Sequence, residues 1–124
     1  MTIRQVLDEI QEIQPSSFGA RQLIAWLRQL DLEIYQKIIC THEGWENVPK
    51  PDYTESSEDG TRLLAPEPYD CIYVHWLQSR IDYVLAEFGR FNNSNAAVTA
   101  DWTEMAAWYN RTHMPLQVTG GKYF

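Results

Sequence analysis

Apolar residues recur at helical spacing from the start of the chain. Ile3, Val6, Leu7, Ile10 and Ile13 form one stripe. Thr2 stands ahead of it with Gln5 three residues on, which is a capping-box pattern. Pro15 ends this helix, and Ser16 and Ser17 supply a turn. A second helix is predicted from after Gly19 to about Thr41, with Leu23, Trp26, Leu27, Leu30, Ile34 and Ile38 on its stripe. Ile24, Leu32, Tyr35 and Ile39 widen that stripe beyond a single face, enough to serve a core and a partner at once.

The pattern then breaks. Residues 42–67 hold Gly44, Pro49, Pro51, Gly60 and Pro66, with Trp45, Val48 and Tyr53 able to form a short extended hairpin. A connection this long inside a small domain is usually functional or flexible. Helical spacing resumes with Ile72, Tyr73, Trp76, Leu77, Ile81, Val84, Leu85 and Phe88. Pro68 suits the first position of this third helix, and Asp70 suits its first turn. Gly89 and the Asn92-Asn93 pair interrupt it, and a fourth helix is predicted from about Asn95 to Thr112 through Ala97, Ala100, Met105, Trp108 and Tyr109. The expected fold is therefore all-α, a small bundle of about four helices spanning residues 1–113, with a long acidic loop at 42–67. A tail at 114–124, with Pro115, Gly120 and Gly121, is expected to be extended or mobile until a partner orders it.

Charge sharpens this outline. The 124 residues carry 17 acids against 10 bases, a net charge of −7, and that balance disfavours a free-standing nucleic-acid binder. Glu43, Glu46, Asp52, Glu55, Glu58, Asp59 and Glu67 put most of the excess in the loop, against Lys50 and Arg62. No stretch has the length of a membrane span and the first residues do not read as a secretory signal, so a soluble cytoplasmic protein, or a particle assembled there, is expected.

Candidate chemistry is sparse. There is no phosphate-binding glycine loop and no Gly-x-Ser-x-Gly elbow, and His42, His75 and His113 fall on different elements. His42-Glu43-Gly44-Trp45-Glu46 resembles a His-Glu-x-x-His zinc motif only superficially, since Glu46 replaces the second histidine. Cys40 and Cys71 each sit in an apolar helical pattern and read as buried structural thiols without metal-spaced neighbours. His75 reads as a satisfied core or interface histidine, and Arg80 and Asp82 as a solvated face. Glu87, placed near a helix end where negative charge is unfavourable, reads as a tolerated surface acid or as the partner of an Arg or Asn in the following turn. No catalytic, cofactor or metal site is expected, and the chain is not expected to be an enzyme. The 16 aromatic residues are many for a four-helix domain. Trp26, Trp76 and Trp108 fit the core, whereas Tyr69, Tyr83, Phe91, Trp102 and Tyr123 fall off the stripes, and some of these can face another subunit.

One succession of residues resembles a known family. It runs through Leu63-Leu64-Ala65-Pro66-Glu67-Pro68-Tyr69-Asp70, Ile72-Tyr73, Ile81-Asp82, Ala86-Glu87 and Asn92-Asn93 to Trp108-Tyr109-Asn110-Arg111-Thr112 and Pro115. With the short first helix, the Pro-Ser-Ser-Phe turn and Trp26-Leu27, it is similar to the small head–tail connector (adaptor, or head-completion) proteins of long-tailed bacteriophages and prophages of Gram-positive bacteria. Gly19, in place of a Ser-type cap, and Phe88-Gly89-Arg90-Phe91 depart from that pattern. The resemblance implies a non-enzymatic structural protein of the virion head–tail interface. Its copies would form a ring under the portal protein, extend the DNA channel without binding DNA specifically, and receive a downstream connector, stopper or tail protein.

On this reading Glu43, Glu46, Asp52, Glu55, Glu58 and Asp59 are candidate channel-facing acids that repel phosphate. Trp102, Arg111, Met114, Leu116, Val118, Tyr123 and Phe124 are candidate contacts to the portal or a neighbouring subunit. The alternative is a small acidic inhibitor that mimics DNA. It is disfavoured because its acids sit in a Gly/Pro-rich loop and not on rigid surfaces. A small helical hydrolase, the third class considered, lacks a catalytic constellation.

Overall fold

A computed structural model describes residues 1–54 and 60–116. Among the described residues four α-helices make the fold: α1 (Ile3–Ile13), α2 (Ala20–Ile34), α3 (Cys71–Val84) and α4 (Phe88–Thr112). A π-helical segment, Tyr35–Ile39, continues α2, and a 3₁₀ turn, Trp45–Asn47, follows. The all-α bundle expected from patterning is what forms.

Local chemistry explains α1. The Thr2 hydroxyl accepts from the Gln5 amide at 3.3 Å, while the Gln5 side chain accepts from the Thr2 amide at 2.9 Å. Ile3, Val6, Leu7 and Ile10 are buried, and Ile13 at the end of the stripe is exposed. Along α2 and its continuation Leu23, Ile24, Leu27, Leu30, Ile34, Ile38 and Ile39 enter the core, with Leu32 and Tyr35 half-buried. The wide apolar surface that promised a partner face is thus largely used by the fold itself. The wider π turn lets adjacent Ile38 and Ile39 both turn inward.

The third and fourth helices divide differently from the expectation. Pro68 is not the first helical residue: the Glu67–Pro68 bond is cis, residues 67–70 form turns, and α3 begins at Cys71. The break before α4 falls at residues 85–87, where Ala86 takes a left-handed conformation (φ 58°), and α4 runs unbroken through Gly89 and Asn92-Asn93. Packing overrides local propensity here, because α4 lies antiparallel along α3. His75 meets Asp101 and Asp82 meets Ser94, so seven residues forward on α3 (75 to 82) match seven backward on α4 (101 to 94). A few weak helix formers lose less than roughly 1 kcal/mol each, which that interface outweighs.

The long connection is held at several points, and no hairpin forms among its described residues. The β pairings present among the described residues are isolated bridges, Thr2 to Arg62 and His42 to Pro115. Pro49 and Pro51 lack the amide hydrogens a ladder needs. Tyr53, Leu63 and Ala65 are nevertheless buried. Leu63 donates its amide to Met1, and Ile3 donates to Thr61, both at 3.0 Å. The tail also begins in an ordered way: Glu43 donates to the Met114 carbonyl at 2.8 Å and Leu116 to Thr41 at 2.9 Å. Residues 117–124, which carry most of the expected tail, lie outside the described residues.

Candidate interaction surfaces and polar centres

Among the described residues, buried polar centres at Asp31, Asp82 and His42 position the surfaces. The first is Asp31 of α2, fully buried, whose carboxylate accepts from the Tyr73 hydroxyl at 2.6 Å, the Tyr53 hydroxyl at 3.1 Å and the Leu64 amide at 3.4 Å. Burial raises its pKa to about 6 against the pull of these donors. Burial and the adjacent Asp31 carboxylate likewise hold both phenols well above the usual tyrosine range. Tyr73 in turn accepts from the Ala65 amide at 2.6 Å.

Asp82 is the second. It accepts from Gln14 at 2.7 Å and Ser94 at 3.2 Å, joining the end of α1 to α3 and α4. It is 2% exposed, so the solvated face expected for Arg80 and Asp82 is corrected. Arg80 is half-buried, its guanidinium 4.6 Å from the Trp76 ring centroid and 5.9 Å from that of Phe91. At that spacing the cation stacks on aromatic faces and its stem covers apolar surface.

The third centre is His42. Its Nδ1 faces the Ile38 carbonyl at 2.6 Å and its Nε2 faces Asn110 Oδ1 at 2.5 Å. Its ring packs edge-on against Tyr109, which stacks on His113 at 3.8 Å. With both ring nitrogens engaged, the start of the His42–Glu46 segment is a joint between loop and α4. Gly44, at φ 88°, makes the turn that follows.

Among the described residues two apolar surfaces stand open. One is the α3–α4 corner, where Tyr83, Val84, Leu85 and Phe88 are each more than half exposed. The Tyr83 ring lies 5.4 Å from Phe91 and 6.3 Å from Phe88, forming an aromatic ledge. Glu87 sits beside it. Since the helix ends at Val84, this acid stands ahead of α4, where the dipole favours it, and it pairs with Arg90 at 3.5 Å. The second surface gathers Trp45, Met114 and Leu116 around the His42 joint.

Most other sequence-marked residues can be placed. Glu43, Glu46 and Asp52 are exposed, whereas Glu55, Glu58 and Asp59 lie outside the described residues. Trp102 is half-buried against the core, Arg111 is exposed in the last turn of α4, and Met114 and Leu116 are exposed. Val118, Tyr123 and Phe124 lie outside the described residues. Of the off-stripe aromatics, Tyr69 packs on Trp108 at 5.2 Å and Phe91 is half-buried, which leaves Tyr83 as the exposed one among those described.

Clefts add little chemistry. A wide one, about 860 Å³, is open between α1 and residues 62–70, with Asp8, Glu9, Glu12, Glu67 and Asp70 on its walls. An apolar cavity of about 210 Å³ lies between the π segment and α4, small for an organic ligand.

One cluster escaped the sequence reading. Cys71 is exposed and not a buried structural thiol, and His75 stands one helical turn beyond it. His75 is thus a metal-spaced neighbour of Cys71, which corrects the expectation that Cys71 has none. The third member, Asp101 of α4, is 26 residues away and brought in only by helix pairing. No helix among the described residues is long and apolar enough to cross a membrane. No protein-family model matches the chain, and no curated protein or solved structure matches it.

Proposed function

We propose that this chain is a structural head–tail connector subunit of a long-tailed bacteriophage or prophage. It works as a ring of its own copies beneath the portal and receives the next connector or tail protein. The observation that carries this reading is the exposed corner of Tyr83, Val84, Leu85 and Phe88 on the paired α3–α4 helices. A contiguous apolar ledge rimmed by Glu87 and Arg90 suits a protein interface, where aromatic residues anchor and charges form the rim. The family-like succession from Leu63 to Pro115 supplies the identity of the partners. The exposed acids Glu43, Glu46 and Asp52 suit a channel wall that repels phosphate, and Met114 and Leu116 begin a segment suited to a neighbouring subunit or the portal.

The test is made on particles. Virions purified from a producing strain contain the protein, and a labelled antibody places it at the head–tail junction. A Leu85→Asp/Phe88→Asp chain folds as the parent does by circular dichroism but yields tailless heads. Absence of the protein from purified virions, or full assembly with the double variant, sinks the reading.

A further inference from the structure

Cys71 and His75 are four residues apart on α3, which puts them on one face of the helix, one turn apart. That face meets α4 at Asp101. One donor atom from each residue (the Cys71 sulfur, a His75 ring nitrogen and an Asp101 oxygen) lies within 4.8 Å of the other two, and His75 Nδ1 is 2.5 Å from Asp101 Oδ2. Ligand atoms around a tetrahedral zinc ion, with bonds of about 2.0–2.3 Å, stand roughly 3.3–3.6 Å apart. Small side-chain rotations therefore bring all three donors to ligating distance. We propose that Cys71, His75 and Asp101 form a binding site for one zinc-class divalent ion, with water in the fourth position.

The donor set decides the class of ion. A thiolate and an imidazole suit zinc and its borderline neighbours such as cobalt, whereas magnesium and calcium take oxygen ligands. Charge balance fits as well. A thiolate, a carboxylate and a neutral imidazole around a divalent ion make an electroneutral centre, suited to a partly buried seam between helices. Burial and the nearby Asp101 carboxylate push the Cys71 thiol up to about 11, so without metal the sulfur keeps its proton. On binding, the thiol proton leaves to solvent and sulfur–metal and nitrogen–metal bonds form. The imidazole ligates through Nδ1 and carries its remaining proton on Nε2, and Asp101 remains a carboxylate. The ion joins the first turn of α3 to the middle of α4, adding to the His75–Asp101 contact between them. Its occupancy stabilises the folded chain by mass action. The site stands independently of the connector reading.

The experiment uses the full chain, stripped with chelator and kept reduced, titrated with zinc or cobalt. One equivalent binds, and zinc raises the unfolding temperature while magnesium and calcium leave it unchanged. Bound cobalt shows the intense d–d bands of tetrahedral coordination and a thiolate-to-cobalt charge-transfer band. Cys71→Ser, at an exposed position that leaves the fold intact, abolishes the charge-transfer band. Cys71→Ser, His75→Ala and Asp101→Asn each weaken binding at least about ten-fold. His113→Ala, which removes a histidine distant from the cluster, leaves affinity unchanged. Four results overturn the proposal: no binding at about 100 μM metal, cobalt bound without a charge-transfer band, magnesium competing equally, or His113→Ala weakening binding as much as His75→Ala.

Discussion

The Tyr73 hydroxyl donates to the Asp31 carboxylate at 2.6 Å while accepting from the Ala65 amide at the same distance. One phenol on α3 thereby ties α2 to the end of the long connection, in a site closed to solvent. Tyr73→Phe leaves a buried amide and a buried carboxylate each short of a partner. It lowers unfolding free energy by about 2–3 kcal/mol, read from urea denaturation. Tyr53→Phe removes a single longer bond and costs about 1 kcal/mol. Equal small effects from the two variants would show that the site is not organised around Tyr73.

Asp31 also sets a pH dependence. Its folded-state pKa is raised from 3.8 to about 6 by burial, so the folded state holds this proton more tightly than the unfolded chain. The resulting stability is fully present below about 3.8 and is lost as pH rises through about 6. About two pH units at 1.36 kcal/mol each make this on the order of 3 kcal/mol. Asp31→Asn removes that titration. Between about pH 4 and 7, wild-type stability falls relative to Asp31→Asn, while contributions from other carboxylates cancel in the difference. Parallel curves for the two proteins would refute the assignment.

Ala86 holds a left-handed backbone at φ 58° in the α3–α4 corner. A side chain there is strained by roughly 1–2 kcal/mol, and glycine relieves this at some cost in chain entropy. Ala86→Gly therefore raises stability by about 0.5–1 kcal/mol, measured as a higher urea midpoint. A loss of stability would mean that the left-handed turn is not the folded state's geometry.

The His42–Asn110 contact clamps the loop start and the tail start onto α4. Asn110→Ala lowers global stability by about 1–2 kcal/mol. Hydrogen exchange reads its local effect. The Glu43 and Leu116 amides, which bond to Met114 and Thr41, lose protection more than the α1 amides do. Uniform loss across the chain would argue against a local clamp.

Elements whose cause is local were legible in the chain itself. The Thr2–Gln5 box and the apolar stripes of α1 and α2 depend on residues three or four apart, and those spacings survive into the fold. The α3–α4 boundary was not legible. Gly89 and Asn92-Asn93 suggest a break, yet they lie inside a helix held by its antiparallel neighbour. The turn falls instead at Ala86, an unpromising residue for a left-handed conformation. Asp31 and Asp82 look like ordinary surface acids, because their partners Tyr73, Gln14 and Ser94 stand 12 to 68 residues away.

Residue spacing and composition were enough for the all-helical class, the first helix with its cap and the acidic balance of the chain. Hydrophobic period and net charge are properties of neighbouring residues and of sums along the chain. Helix packing set which acids are buried, left Tyr83, Val84, Leu85 and Phe88 outside, and brought Cys71 and His75 to Asp101. Those outcomes depend on which helix faces meet and in what register, and no local spacing encodes that.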